Sequence, residues 1–102
     1  MAYEIVFSDK ALNRVAAARL PVQVIDVLER EFERLAHSPS SVSRATTFPY
    51  PPRGQRYGFQ CELDRRRYYF GVFFLFSQDE TSLHVFDVTV ATEEIKTPPE
   101  NL

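Results

Sequence analysis

The fold is decided by residues 55–90, which read QRYGFQCELDRRRYYFGVFFLFSQDETSLHVFDVTV. Two short polar segments divide this stretch into three runs, residues 55–63, 68–76 and 82–90, that are rich in aromatic and β-branched side chains. Runs of this kind are typical of β-strands. The first run alternates apolar and polar residues with a period of two, which predicts a strand with one buried face. The stretch therefore predicts three antiparallel strands joined by two short connections.

The connections decide which side chains share a face, because a slip of one residue turns every side chain over. A two-residue turn, flanked by Leu63 and Arg66 or by Asp64 and Arg67, brings together one apolar set: Tyr57, Phe59, Cys61, Leu63, Tyr68, Phe70, Val72 and Phe74. A five-residue loop, Ser77 to Thr81, then predicts three cross-strand pairs and a buried His84. These pairs are Val90 with Tyr68, Val88 with Phe70, and Phe86 with Val72.

The opposite face of this sheet is the predicted working surface. It mixes polar groups, aromatic rings and two glycines: Arg56, Gly58, Gln60, Glu62, Tyr69, Gly71, Phe73, Asp87 and Thr89. We therefore expect one side of the sheet to be covered by the rest of the chain and this side to stay open.

The first half of the chain predicts the cover. Residues 3–7 alternate as a short strand, and Ser8 is a suitable cap for a helix over residues 9–19. A second helix begins near Pro21 and ends near His37, with one apolar stripe. Residues 38–54 hold four prolines and no periodic pattern, which predicts a long linker. The acidic tail from about residue 92 is expected to be flexible.

Length and composition predict a single domain over residues 1–102, with 44% hydrophobic and 14% aromatic residues. No apolar run is long enough to span a membrane, and the first residues lack a signal-peptide pattern, so we expect a cytoplasmic protein with no membrane partner. The single cysteine, Cys61, rules out an internal disulfide framework and is interpreted as a small core residue.

Charge is distributed unevenly along the chain. The formal net charge is −2, yet residues 44–67 contain six arginines against two acidic residues. The chain as a whole therefore does not attract nucleic acid, although a local arginine patch does exist. No metal-ligand spacing, phosphate-binding glycine loop or nucleophile triad is found, so we expect no cofactor and no metal.

The order of elements resembles the RelE/ParE toxin superfamily of bacterial type II toxin–antitoxin modules. Four segments carry the resemblance: Tyr3-Glu-Ile-Val-Phe-Ser8, Leu35-Ala-His-Ser-Pro39, Gln55-Arg-Tyr57 and Arg67-Tyr-Tyr-Phe70. The resemblance implies an α+β fold of order β-α-α-β-β-β, in which a helical hairpin packs on one face of a small, mostly antiparallel sheet. It also implies a cognate antitoxin as partner and inhibition of translation by ribosome-dependent mRNA cleavage.

The basic positions that the family uses around the cleaved phosphate are mostly not basic here. Carried over, they fall on Gln60 and Glu62, on Tyr69 or Arg67, and near Thr92 or Glu93. Together with the isoelectric point of about 5.6, this supports two alternatives to mRNA cleavage. One is a degenerate member that binds protein without catalysis, and the other is a ParE-like inhibitor of gyrase.

Three groups of candidate site residues follow. Glu62, Arg67, Tyr69 and Asp87 are the catalytic candidates, and the competing interpretation is a polar surface on which Arg56 or Arg67 neutralises the acids. The candidates for binding nucleic acid or an acidic partner are Arg53, Arg56, Arg65 and Arg66. For Arg65 and Arg66, which lie at the turn, an equally good interpretation is a solvated turn without a binding role. Phe73 and Leu75 are predicted to line a groove for a partner segment.

Overall fold

Strands β3 (Gln55–Leu63) and β4 (Arg66–Phe76) pair in the predicted way. In the computed structural model, which describes residues 2–47 and 50–96, Leu63 lies opposite Arg66 and a two-residue turn joins them. Both turn residues have positive φ, 51° for Asp64 and 62° for Arg65, as a turn that follows the twist of the hairpin requires. Phe59 therefore faces Phe70, and the buried face is as predicted for these two strands.

The other elements complete a five-stranded sheet. They are β1 (Glu4–Phe7), α1 (Asp9–Ala17), α2 (Val22–His37), α3 (Pro39–Val42), β2 (Arg44–Ala45) and β5 (Ser82–Glu94). The strand order is β1-β5-β4-β3-β2, with β1 parallel to β5 and all other neighbours antiparallel. The predicted α+β class and the mostly antiparallel sheet are confirmed.

The two long helices cover one face of the sheet. Ser8 caps α1 by accepting a hydrogen bond from the backbone of Ala11, as its sequence position predicts. Ala11 and Leu35 of the helices are 0% exposed and pack with the buried aromatic side of β3, β4 and β5. Val24 and Leu28 of α2 pack on the other end of the same face, around Phe70. The core is thus a single layer between the two long helices and the sheet.

Strand β5 pairs two residues away from its predicted register. Val88 lies opposite Val72 and Val90 opposite Phe70, where we had predicted Phe70 and Tyr68 as their partners. A shift of two residues leaves the faces unchanged, so both valines still point into the core.

A second departure does change the faces. Phe73 pairs with Asp87, but Phe74 pairs with Val85, so that Phe86 is one extra residue in β5. Such a β-bulge reverses the alternation on its far side. The predicted pair of Phe86 with Val72 is wrong, because Val72 pairs with Val88 and Phe86 has no partner in β4.

The reversal also corrects the prediction for His84. Leu83 and Val85 are 0% and 1% exposed and form part of the core, whereas His84 is exposed. The interpretation of His84 as a core-facing residue is wrong because the β-bulge at Phe86 lies between His84 and Val88.

The predicted linker contains structure, and the strand before the tail is longer than expected. A one-turn helix, α3, follows Pro39, and the two residues of β2 pair with β3. Strand β5 continues to Glu94, and the backbone N–H of Ile95 donates to the carbonyl of Arg65. The last part of the predicted flexible tail, residues 97–102, lies outside the described residues, as does Pro49 of the linker.

None of the described helices combines the length and the apolar character needed to cross a membrane.

Tyr57 links β3 to α2 and should make stability depend on alkaline pH. Its hydroxyl donates to the carboxylate of Glu31, and its side chain is 6% exposed. Burial, followed by the hydrogen bond and the charge of Glu31, raises the pKa of Tyr57 to about 12. A folded state that holds the phenol proton more tightly than the unfolded chain is fully stabilised below about pH 10 and loses that stabilisation as the pH rises towards 12.

We therefore expect the free energy of unfolding to fall by about 2–3 kcal/mol between about pH 10 and pH 12, beyond the fall shared with other groups. Urea unfolding of the wild type and of Tyr57→Phe across that range measures this difference. The control is the same pair of proteins between about pH 7 and pH 9, where the pKa of Tyr57 predicts equal slopes. Equal slopes for the wild type and Tyr57→Phe between about pH 10 and pH 12 would contradict the assignment.

Candidate functional site

The open face is organised as rows of cross-strand neighbours. At one end of the sheet Glu62, Arg67 and Glu93 lie side by side on β3, β4 and β5. In the middle Gly58 and Gly71 face each other. At the other end Arg56, Phe73 and Asp87 form a row. These rows place Glu62 and Arg67 at one end of the sheet and Arg56, Phe73 and Asp87 at the other.

The first group, here called the Arg67 cluster, consists of Glu62, Arg67, Tyr69 and Glu93. The Arg67 guanidinium donates from Nε and Nη2 to Oε1 of Glu62, at 3.0 and 2.8 Å. It also donates to the Tyr69 hydroxyl at 3.4 Å and lies 3.9 Å from a carboxylate oxygen of Glu93. The Tyr69 hydroxyl in turn donates to Glu93 at 2.7 Å. The single cation of this cluster is thus shared between two carboxylates.

Hydrogen bonds to Tyr69 and Glu62 raise the pKa of Arg67 above its usual value, so this side chain stays charged at every accessible pH. The interpretation in which Arg67 neutralises the acid at Glu62 agrees with this geometry. Sequence reasoning missed the role of Glu93 as the second acid. A longer β5 would have revealed it, because Glu93 lies directly opposite Arg67.

Asp87 is separate from the Arg67 cluster. It lies opposite Phe73, whereas Tyr69 lies opposite Ala91, four positions further along β5 and roughly 13 Å away at the rise of a strand. Its side chain is instead held by α1, with Lys10 Nζ and Arg14 Nε both at 3.5 Å. Asp87 therefore lies apart from Glu62, Arg67 and Tyr69, so the four catalytic candidates do not form one group.

The two cations that hold Asp87 were not predicted. Asp87 is 7% exposed and also accepts a hydrogen bond from the backbone of Val88 at 2.9 Å, as expected for a structural carboxylate. Lys10 and Arg14 are four residues apart on α1, so their common helix face was readable from the sequence. Their proximity to β5 was not, because it depends on how α1 packs.

Arg56 lies in a shallow trough made by the two facing glycines. A Cβ atom added at Gly58 would lie 2.5 Å from Nη1 of Arg56, and one added at Gly71 would lie 3.4 Å from its Nε. The guanidinium carbon is 5.9 Å from the centre of the Phe73 ring, within the range of a cation–π contact. Gly58 therefore leaves room for the arginine to lie flat across the sheet, whereas a Cβ at Gly71 would lie at ordinary contact distance from it.

A cleft of about 590 Å³ opens beside this arginine. We call it the arginine cleft; its lining includes Arg44, Thr46, Thr47, Tyr50, Arg56 and Phe73. The ring of Tyr50 stacks on that of Phe73, with centroids 4.6 Å apart and an angle of 17° between the planes. Arg44 lies directly opposite Arg56 in the pairing of β2 with β3.

The remaining candidates are dispersed. Arg53 is exposed in the loop before β3, Arg65 lies in the turn after β3, and Arg66 begins β4, so Arg56 is joined by none of them. Phe73 is only 4% exposed because Tyr50 and Arg56 cover it, and Leu75 is half-buried. The partner groove predicted at these two residues thus has little accessible apolar surface.

An accessible apolar groove lies instead between the two long helices. We call it the helix groove; its lining includes Phe7, Leu12, Val15, Ile25, Leu28 and Phe32, and it encloses about 530 Å³. Leu12 is 53% exposed and Ile25 36% exposed. Because both side chains line the same apolar groove, they form a contiguous exposed patch of the kind that partner proteins cover.

Within the described ranges, no three His, Cys, Asp or Glu side chains are grouped so that they could hold a metal ion. Cys61 is half-buried, and burial raises the pKa of its thiol, as expected for the structural role predicted for it.

No protein-family model matches the chain, and no curated protein does. Among solved structures, the fold is similar to a chain of the toxin–antitoxin complex RelBE2 from Mycobacterium tuberculosis, with a TM-score of 0.60 and 15% sequence identity. The similarity covers 89% of this chain and 100% of the other. The chain therefore has a RelE-like fold, which confirms the fold that the sequence resemblance implied.

Proposed function

We propose that this chain is the toxin-like component of a type II toxin–antitoxin module and that a cognate antitoxin protein holds it inactive in the cytoplasm. The observation that carries the proposal is the RelE-like fold, which extends over 89% of the chain and is shared with a chain of a toxin–antitoxin complex. Fold alone does not define an activity, so the proposal needs a direct test.

Induced expression in bacteria is that test. We expect growth arrest on induction, and recovery when the small protein encoded by the adjacent reading frame is expressed with it. Normal growth in cells that contain soluble, folded chain would refute the toxin-like role.

The helix groove is the surface we propose for the antitoxin. Leu12 and Ile25 project from two different helices towards the same groove, which suits the apolar side of a partner helix. Leu12 is about half exposed and Ile25 about a third exposed, and neither belongs to the buried core, so replacing them should leave the core intact.

We expect Leu12→Glu with Ile25→Glu to weaken antitoxin binding by about 100-fold or more, since two charged groups would be buried in an apolar contact. Calorimetric titration of the purified pair measures the affinity. Val22→Glu is the control, because Val22 is 70% exposed and lies outside the groove. Equal affinities for the double variant and the control would place the antitoxin elsewhere.

For the reaction of such a toxin we propose ribosome-dependent mRNA cleavage at the open face. It is supported by the hydrogen bond between Arg67 and Tyr69, which fixes one cation beside a hydroxyl group on that face. The second candidate is binding without catalysis, and it is favoured by the two carboxylates that share the charge of Arg67.

A purified translation system separates these candidates. Cleavage of mRNA that is lost in Arg67→Ala supports the nuclease, and intact mRNA with retained antitoxin binding supports the binding module. A gyrase supercoiling assay on the same preparation tests the ParE-like alternative.

A further inference from the structure

We propose that the arginine cleft is a nucleotide-binding site, in which Arg44 and Arg56 bind a phosphate group and Tyr50 stacks on the base. This site is distinct from the Arg67 cluster and from the helix groove. It goes beyond the proposed function, because it requires neither an antitoxin nor a ribosome and is testable on the isolated chain.

Charge is the first argument. Arg44 and Arg56 are direct cross-strand neighbours, and like charges in that position repel each other. Nowhere in residues 2–47 and 50–96 does a carboxylate lie within salt-bridge distance of either one, whereas Arg67 and Arg14 each have such a partner. A bound anion would relieve this repulsion, and a phosphate has the geometry that a guanidinium matches best.

Preorganisation is the second argument. The guanidinium of Arg56 lies over Gly58 and Gly71 and against Phe73, so it is already placed on the open face before any ligand arrives. An arginine held in this way loses less conformational entropy on binding than a free side chain. This placement requires that Gly58 lacks a Cβ, since that atom would lie 2.5 Å from Nη1 of Arg56.

The aromatic pair gives the third argument and selects a nucleotide over a simple anion. Phe73 covers one face of the Tyr50 ring, and Tyr50 is nevertheless 38% exposed, so its outer side can receive another planar group. Bases stack on aromatic rings in this manner. Thr47 adds an exposed hydroxyl, and a volume of about 590 Å³ is in the range typical of small-ligand sites.

The test is a titration of the isolated chain with adenosine monophosphate at low salt, followed by NMR. We expect saturable shifts at Arg44, Tyr50 and Arg56, and affinity reduced about tenfold or more in Arg56→Gln. Tyr50→Ala should reduce it about fivefold or more, because the stacking surface is removed.

Gly58→Ala provides the sharper variant. The three atoms nearest to the added methyl group all belong to the flexible end of Arg56, so we expect the chain to keep its charge and its fold while the guanidinium is displaced. We expect a loss of affinity comparable with that of Arg56→Gln and a nearly unchanged melting temperature. Arg30→Gln, which removes an exposed arginine from α2, is the matched control and should bind as the wild type does.

Two further arms separate the sources of the nucleotide. Tighter binding of a short oligoadenylate with a steeper salt dependence would identify the ligand as one unit of a single-stranded chain, and equal binding would identify a free nucleotide. Either result supports the site. The proposal is overturned if adenosine monophosphate does not bind, if Arg56→Gln and Arg30→Gln bind it alike, or if inorganic phosphate or an acidic peptide binds as tightly.

Discussion

Leu83→Ala is expected to lower the free energy of unfolding by about 2–5 kcal/mol, whereas His84→Ala should change it by less than about 0.5 kcal/mol. Leu83 is 0% exposed and belongs to the core, so truncation removes apolar contacts and leaves a cavity. His84 is exposed, and its imidazole makes a long contact of 3.3 Å with the hydroxyl of Ser82 on the same strand. Urea unfolding of both variants at neutral pH measures the difference.

This pair of variants tests the bulge at Phe86 directly. Uninterrupted alternation along β5 would bury His84 and expose Leu83, and it would therefore predict the opposite order of stabilities. A larger loss in His84→Ala than in Leu83→Ala would show that the register of β5 is continuous. Val88→Ala, on the other side of the bulge, is buried under either register and should be destabilised in both cases.

The hairpin of β3 and β4 could be predicted because two independent signals agree there. One face of β3 is apolar in strict alternation, and a tight turn between Leu63 and Arg66 leaves little choice of register. Strand β5 offers no such agreement, since apolar residues occupy both of its parities around Phe86. No glycine or proline in residues 82–90 indicates a bulge, so the sequence did not show which residues of β5 face the core.

The candidate site divides along the same line. The contact of Glu62 with Arg67 follows from neighbouring positions across one short turn, and the sequence was sufficient to propose it. The position of Asp87 outside that cluster depends on where α1 packs. The pairing of Arg44 with Arg56 depends on a strand of only two residues. Contacts between elements that are distant in the chain leave no periodic pattern, so these two features needed the structure.

The charge balance of the Arg67 cluster leads to the second large effect. Glu62→Gln with Glu93→Gln is expected to raise the affinity of the open face for single-stranded RNA by about tenfold or more at low salt. The two carboxylates lie 2.8 and 3.9 Å from the guanidinium of Arg67, and neutral amides in their place would leave its charge available to a phosphate. Both acids are more than half exposed, so the loss of these ion pairs should affect stability little.

Fluorescence anisotropy with a labelled oligoribonucleotide measures this effect at several salt concentrations. Each phosphate newly bound should steepen the dependence of log affinity on log salt by about 0.7, which distinguishes contact from general attraction. The matched control is Glu4→Gln with Asp26→Asn, which also removes two negative charges, here from exposed positions on β1 and α2. If both double variants gain equally, net charge alone accounts for the result. A higher RNA affinity in Glu62→Gln with Glu93→Gln, but not in the control, would mean that these two acids prevent Arg67 from binding nucleic acid.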